Sequence, residues 1–273
     1  MFNVLAYPVE TWSWEDLVNE STKPTSSVGP SQEHEKMFYL GRKPLSTTLR
    51  LDLSESKVKK GGFKIAAFGT STTSLFKSNG MDICAKRSYH SEKRVVEKNG
   101  AYMVKTLNVP FEGRKQFQNL AMEIACTVWA QALLDLVYSF ISQEGQPPFN
   151  IPKFRFVESA LAMESSLDEG KQNNAVFLIE EIIAEEKQGR FQKYLNNVSP
   201  VPLTMTCKED EERAKFLAFS QHVQYWKTKK QVFVSDYQGN KLSSKNLVMS
   251  LSSHLTSAGG NSLLSDPQIS SAQ

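Results

Sequence analysis

The stretch Lys115 to Ile141, KQFQNLAMEIACTVWAQALLDLVYSFI, decides what kind of molecule this is. Leu120, Ile124, Val128, Leu133, Leu136, Val137 and Phe140 recur near the 3.6-residue period, with no proline or glycine before Gly145. That is the pattern of one long helix. Its length and apolarity also suit a membrane span, but Glu123, Gln131 and Asp135 lie within it. A carboxylate at mid-membrane costs roughly 2.5–3.5 kcal/mol even on the lenient insertion scale, so the helix is expected in a protein core and no membrane partner is expected.

The flanks of this helix read as strands. Upstream, Ser46–Leu53 (STTLRLDL), Gly62–Phe68 (GFKIAAF) and Met81–Tyr89 (MDICAKRSY) alternate or carry short apolar runs, with Ser78, Asn79 and Gly80 as a turn, and Ala101–Val109 extends the series. Downstream, Pro147, Pro148 and Pro152 force a loop before a strand at Phe154, Phe156 and Val157. Val176–Ile183 (VFLIEEII) has the continuous apolar character of a central strand covered on both faces. Glu209–Trp226 is helical in composition, and Gln231–Ser235 is a short strand ending in the polar group Asp236 to Gly239. Strands, a long helix, strands, a helix and strands, without a repeated βαβ unit, indicate an α+β fold. Residues 16 to 36 are rich in Ser, Thr, Pro, Gly and Glu, and Ser21 to Glu35, with almost nothing to bury, reads as a mobile arm, with the folded part starting near Met37.

Composition narrows the function classes. The 273 residues carry 32 basic and 29 acidic side chains, a formal charge of +3, with 40% apolar content, which suits a globular chain and excludes a fibrous or disordered class. So small a charge provides no broad field for nucleic acid, which is disfavoured as a partner. Cys84, Cys126 and Cys207 are odd in number, far apart and in no CxxC pair, so neither a disulfide framework nor a self-contained zinc site is readable. With no signal-peptide pattern in Met1–Glu15, a reducing cytoplasmic setting is expected.

Several residues could carry chemistry. Gly61 and Gly62, beside Lys59, Lys60 and Lys64, suit either a tight turn or a close backbone approach to a phosphate. Lys86 lies inside an apolar strand, on the face of Cys84 and Asp82, where it is either a solvent-facing edge lysine or a phosphate contact of the kinase type. Lys105 is a second lysine of this kind, and Glu123 on the long helix is a potential partner for Lys86. Glu180 and Glu181 end a buried strand and need a partner or a cleft. Asp236 and Gln238, two residues apart at a strand end, offer hard oxygens on one side, and Asp266 adds another, a set suited to Mg²⁺ or simply to two β-turns. His222, among Phe219, Tyr225 and Trp226, reads first as a hydrogen-bonded core residue.

Taken in order, GGFK (61–64), ICAKR (83–87), VFLIEEII followed by FQKYLNN (191–197), HVQY (222–225), VSDYQG (234–239) and LLSDPQI (263–269) resemble the atypical α-kinases, relatives of the myosin heavy chain and elongation factor 2 kinases, with fungal members closest. The resemblance covers residues 60 to 271. It implies a two-lobed protein-kinase-like fold that uses ATP and Mg²⁺ to phosphorylate Ser or Thr of a protein substrate. It places Gly61 and Gly62 in a nucleotide loop, Lys86 on the ATP phosphates and Glu180 beside the adenine. Lys193 and Asn197 line the catalytic cleft, Asp236 orients or deprotonates the acceptor hydroxyl, and Gln238 and Asp266 hold the metal. His222 matches the first structural zinc ligand of that family. The expected division is a partly disordered extension (1–45), an N-terminal lobe (46–175) and a partial C-terminal lobe (176–273) with an inserted loop at 240–262. The family continues past the SDP motif into a second glycine-rich loop and then a His and two Cys, whereas this sequence stops at Gln273, so His222 alone is not expected to hold zinc. An inactive nucleotide-binding or scaffold module, or a gene fragment, is the competing expectation.

Overall fold

A computed structural model of the chain describes residues 1–23, 37, 39–77, 80–98, 101–145, 151–165, 175–182, 192–239 and 262–271. Its strands are β1 (Phe2–Pro8), β2 (Leu45–Leu51), β3 (Lys59–Lys60), β4 (Lys64–Ser71), β5 (Asp82–Lys98), β6 (Ala101–Pro110), β7 (Phe154–Phe156), β8 (Ser159–Glu164), β9 (Val176–Glu181), β10 (Gln192–Leu195), β11 (Val232–Gly239) and β12 (Ser262–Ser271). Its helices are α1 (Trp14–Ser21), α2 (Gly113–Gln143) and α3 (Lys208–Lys227). The mixture is α+β.

The chain divides into two compact units, the first made of residues 1–10, 40–124 and 158–182 and the second of 11–39, 125–157 and 183–273. This differs from the division at 175/176 read from sequence, because the first sheet needs strands from both ends of that span. In it β4, β2, β1, β8, β9 and β5 are successive antiparallel neighbours, and β4 also pairs with β5, so these six strands close into a ring. Closure removes unpaired sheet edges. One face of the ring carries the first core, with Val4, Ala6, Leu49, Ile83, Ala85, Ala160, Ala162, Phe177 and Ile179 buried together. The strict two-residue alternation then turns Cys84, Lys86, Leu178, Glu180 and Leu161 to the opposite face.

The N-terminal segment is the clearest correction to the sequence reading. Phe2–Pro8 is no loose extension but a strand held between β2 and β8. Trp14–Ser21 is a helix, started by the Ser13 hydroxyl, which accepts from the Asp16 backbone N–H at 3.1 Å. The remainder of the expected arm, 24–35, lies outside the described residues, as does most of the inserted loop, 240–261.

In the second unit β10, β11, β12 and β7 form a sheet whose last pair is parallel. Its core joins Ala130, Leu133, Leu134 and Val137 of α2 to Phe154, Phe156, Tyr194, Leu195, Leu217, Val234 and Tyr237. The helix α2 is long and apolar enough to cross a membrane by length and composition, yet these apolar side chains are fully or almost fully buried in the protein. On the same helix the side chain of Gln131 donates to Asp135 at 2.9 Å and accepts from the Phe156 backbone N–H at 2.8 Å. Gln131, one of the polar residues that argued against a membrane span, thus fastens α2 to β7, and burial pushes the carboxyl of its neighbour Asp135 above its ordinary value.

Two glycines of the first unit contrast sharply. A Cβ on Gly69, in β4 opposite Leu51, would lie 2.1 Å from the Arg50 carbonyl oxygen, whereas one on Gly62 would meet nothing within 4 Å. Gly69→Ala is therefore expected to destabilise the protein by about 1–3 kcal/mol in denaturant titrations, as overpacking does, while Gly62→Ala leaves stability unchanged or slightly raised.

Candidate functional site

The first unit holds a buried ion pair. In the register of β5 against β9, Cys84 lies opposite Glu180 and Lys86 opposite Leu178, so Lys86 and Glu180 are diagonal neighbours on one face. Diagonal positions in an antiparallel pair are roughly 7–8 Å apart, within reach of a lysine and a glutamate. Here the Lys86 ammonium meets the Glu180 carboxylate at 2.7 Å, with only 10% and 7% of the two side chains exposed. Lys86 is thus no solvent-facing edge lysine, and the recorded partner of Glu123 is Lys64, at 3.1 Å. Glu181 points the other way along β9, and its carboxylate accepts from the Glu158 backbone N–H at 2.7 Å. Lys105 sits opposite Arg94 in the β5–β6 pair and is exposed.

The glycine pair sits in the turn between β3 and β4. The Gly61 N–H is engaged with the Lys64 carbonyl at 2.8 Å, and the Tyr89 hydroxyl donates to the carbonyls of Gly61 at 2.6 Å and Gly62 at 3.2 Å. Of the two glycine amides expected to face a phosphate, one is therefore occupied by the turn itself. Tyr89, which ties the turn to β5, carries no motif and was not legible as a tether.

The second unit gathers a different group. Asp236 lies inside β11 rather than at its end, and the β11–β12 register shifts on both sides of it, between Val234 and Asp236 and again between Asp236 and Gln238. Bulges re-aim side chains, and here Val234 through Tyr237 are all buried instead of alternating. The common orientation of Asp236 and Gln238 expected from a two-residue period is therefore lost, and Gln238 is half-buried where Asp236 is 5% exposed. The Lys193 ammonium from β10 donates to Asp236 Oδ2 at 2.9 Å. Asp236 Oδ1 is buried with no hydrogen-bond donor upon it. Gln268, the register partner of Asp236, accepts from the Asn197 side chain at 2.8 Å. Lys193, Asn197, Asp236 and, as register partner of Lys193, Gln238 are thus brought together. Asp266 falls in β12, but its side chain lies outside the described residues.

Two glutamines of α3 fix this strand. Gln221 donates to the Val234 carbonyl at 2.8 Å, and Gln224 accepts from the Val234 N–H at 3.0 Å while donating to the Tyr237 hydroxyl at 2.9 Å. Burial pushes the Tyr237 phenol well above its ordinary value, so it remains a neutral hydrogen-bonding group. Sequence reasoning missed both glutamines. The signal was present, because Ala214, Leu217, Gln221 and Gln224 share the buried stripe of the helix, where a polar side chain needs a partner. His222, between them, is exposed rather than a core residue. Among the described residues no three His, Cys, Asp or Glu side chains are gathered for a metal, so this donor set does not fit the structural zinc that the resemblance assigns to His222.

A model of the alpha-kinase family matches residues 59–273. The chain belongs to the alpha-kinase family. Two solved structures of such domains are similar to it: the inactive alpha-kinase domain of myosin heavy chain kinase A in complex with ATP, with 14% identity, a TM-score of 0.48 and coverage of 98% of this chain and 83% of that one, and the alpha-kinase domain of the same kinase with AMPPCP, with 14% identity, a TM-score of 0.46 and coverage of 98% and 81%. No curated protein matches the chain in sequence. Membership in the alpha-kinases stands on the family model.

A buried lysine–glutamate pair makes a definite thermodynamic prediction. Lys86→Met takes the lysine from a buried carboxylate and is expected to cost roughly 3–5 kcal/mol in denaturant titrations. The double variant Lys86→Met/Glu180→Leu, which removes both charges, is expected to recover most of that loss; a double variant no more stable than Lys86→Met would contradict the pairing.

Proposed function

We propose that this alpha-kinase family member is an ATP-dependent protein kinase that transfers the γ-phosphate to a Ser or Thr hydroxyl of a protein substrate in the cytoplasm. The observation that carries the reading is Asp236, a buried carboxylate with one oxygen on Lys193 and the other without a donor. Leaving a buried carboxylate oxygen unpaired is costly, and such a group is retained where a ligand or a reacting proton will meet it.

In this reading Lys86 contacts the nucleotide phosphates, held in place by Glu180, as a lysine–glutamate pair does in protein kinases generally, although here the glutamate comes from a neighbouring strand. The resemblance set Glu180 beside the adenine; its salt bridge supports a role in aiming Lys86. Asp236 accepts the proton of the acceptor hydroxyl at the unpaired Oδ1, and Lys193 holds the carboxylate through Oδ2. Asn197, fastened to Gln268, lines the same site. Gln238, no longer on a common side with Asp236, and Asp266 are the residues that would hold Mg²⁺, which when bound would neutralise phosphate charge. Phosphoryl transfer is largely a matter of positioning and electrostatics, so the bulged β11 and its glutamine anchors serve the reaction by fixing where Asp236 lies.

Phosphate transfer from labelled ATP to a mixture of Ser- and Thr-containing proteins, with Mg²⁺ present, tests this directly. Wild type is expected to incorporate label, and Asp236→Ala to lose at least about a hundredfold of the rate, the range of a general-base deletion. Equal incorporation by the two proteins, or none by either, would overturn the reading.

A further inference from the structure

The loop that follows β10 exposes two valines, five and eight residues after Lys193, and nothing in the proposed chemistry uses them. Val198 is 85% exposed and Val201 66% exposed. They do not sit on a loose tip. The Asn196 side chain accepts from the backbone N–H groups of Val198 at 3.1 Å and Ser199 at 3.0 Å, and Asn196 and Ser199 form a bridge. The Val201 N–H reaches the Ser199 hydroxyl at 3.2 Å, and the Leu203 N–H returns to the Tyr194 carbonyl at 2.9 Å. Pro200 and Pro202 fix φ on either side of Val201. A pinned backbone with two β-branched side chains, each having few rotamers, presents a pre-formed apolar surface to solvent.

Its position limits what it can meet. Asn197, the residue before Val198, is bonded to Gln268, which lies opposite Asp236 in the sheet. Lys193, whose ammonium is on Asp236, is five residues before Val198, a span of at most roughly 18 Å for extended chain. An acceptor segment that brings a hydroxyl to Asp236 therefore has Val198 within about five residues of its own length, with Val201 three residues further along the same pinned loop.

We infer that Val198 and Val201 are specificity determinants that dock an apolar side chain of the substrate polypeptide close to the phosphorylated residue. The inference rests on the kinase reading and adds to it the class of substrate: a Ser or Thr with an aliphatic or aromatic neighbour, as opposed to one in a wholly polar or charged segment. Binding of that neighbour removes apolar surface from water on both partners, and the rigid loop loses little freedom in the process.

Two synthetic peptides separate the possibilities. They share one central threonine and differ only in carrying leucine or glutamine at the positions around it. Phosphate incorporation gives KM and kcat, and fluorescence anisotropy of labelled versions, with alanine in place of the threonine, gives binding without turnover. Wild type is expected to favour the leucine peptide roughly tenfold in KM and in binding, with similar kcat. Val198→Asp and Val201→Asp, both at exposed positions and expected to melt like wild type, should each reduce that preference towards unity. Phosphorylation of both peptides with equal KM, or an undiminished preference in both variants, overturns the docking role while leaving the kinase reading intact. Preferential binding that Val198→Asp abolishes, with no phosphate transferred to either peptide, sustains the docking surface and overturns the kinase reading instead.

Discussion

A charged pair inside a sheet constrains everything built around it. Lys86 and Glu180 can meet only because β5 and β9 pair with Cys84 opposite Glu180, which makes the lysine and glutamate diagonal neighbours. A slip of one residue would take Lys86 from Glu180 and turn it onto the face where Ile83, Ala85 and Ile179 form the apolar core. The ring closure of β4, β2, β1, β8, β9 and β5 leaves no edge along which such a slip could be relieved. Fold and ion pair thus enforce each other: the apolar face selects the register, and the register delivers the pair.

The second unit solves a related problem by a different means. A regular strand would have alternated Ser235, Asp236 and Tyr237 between opposite faces, leaving little reason for all three to be buried. The register shifts around Asp236 break that alternation, and Gln221 and Gln224 hold Val234 and Tyr237 on either side of it. The carboxylate is therefore placed by backbone irregularity and helix side chains rather than by a loop. In the proposed reaction such placement matters, because a displacement of about 1 Å in a reacting group can cost on the order of a hundredfold in rate.

Much of this was legible in the sequence where one period persisted long enough to register. The 27-residue apolar pattern from Lys115 located α2 to within two residues at each end, and VFLIEEII marked the fully buried β9. The motif order also singled out Lys86, Glu180, Lys193 and Asp236, but the partner expected for Lys86 was Glu123, because which side chains meet depends on register. What escaped was information carried by distant partners. Phe2–Pro8 looks unremarkable until β2 and β8 lie on its two sides, and Ser159–Glu164 and Gln192–Leu195 are too short to show a period. The strand β12 was not read as a strand, because Ser265, Asp266 and Pro267 are turn formers, yet it runs through them as the neighbour of β11.

In the proposed kinase the Lys86–Glu180 pair is where the nucleotide phosphates are held. The most direct measurement is calorimetric titration of ATP and of adenosine into wild type and into the double variant Lys86→Met/Glu180→Leu, whose folding is checked in the same buffer. ATP is expected to bind wild type saturably and to bind the folded double variant at least about tenfold more weakly, with adenosine binding changed far less, because adenosine has no phosphates for Lys86 to contact. A folded double variant that binds ATP as tightly as wild type would contradict the claim.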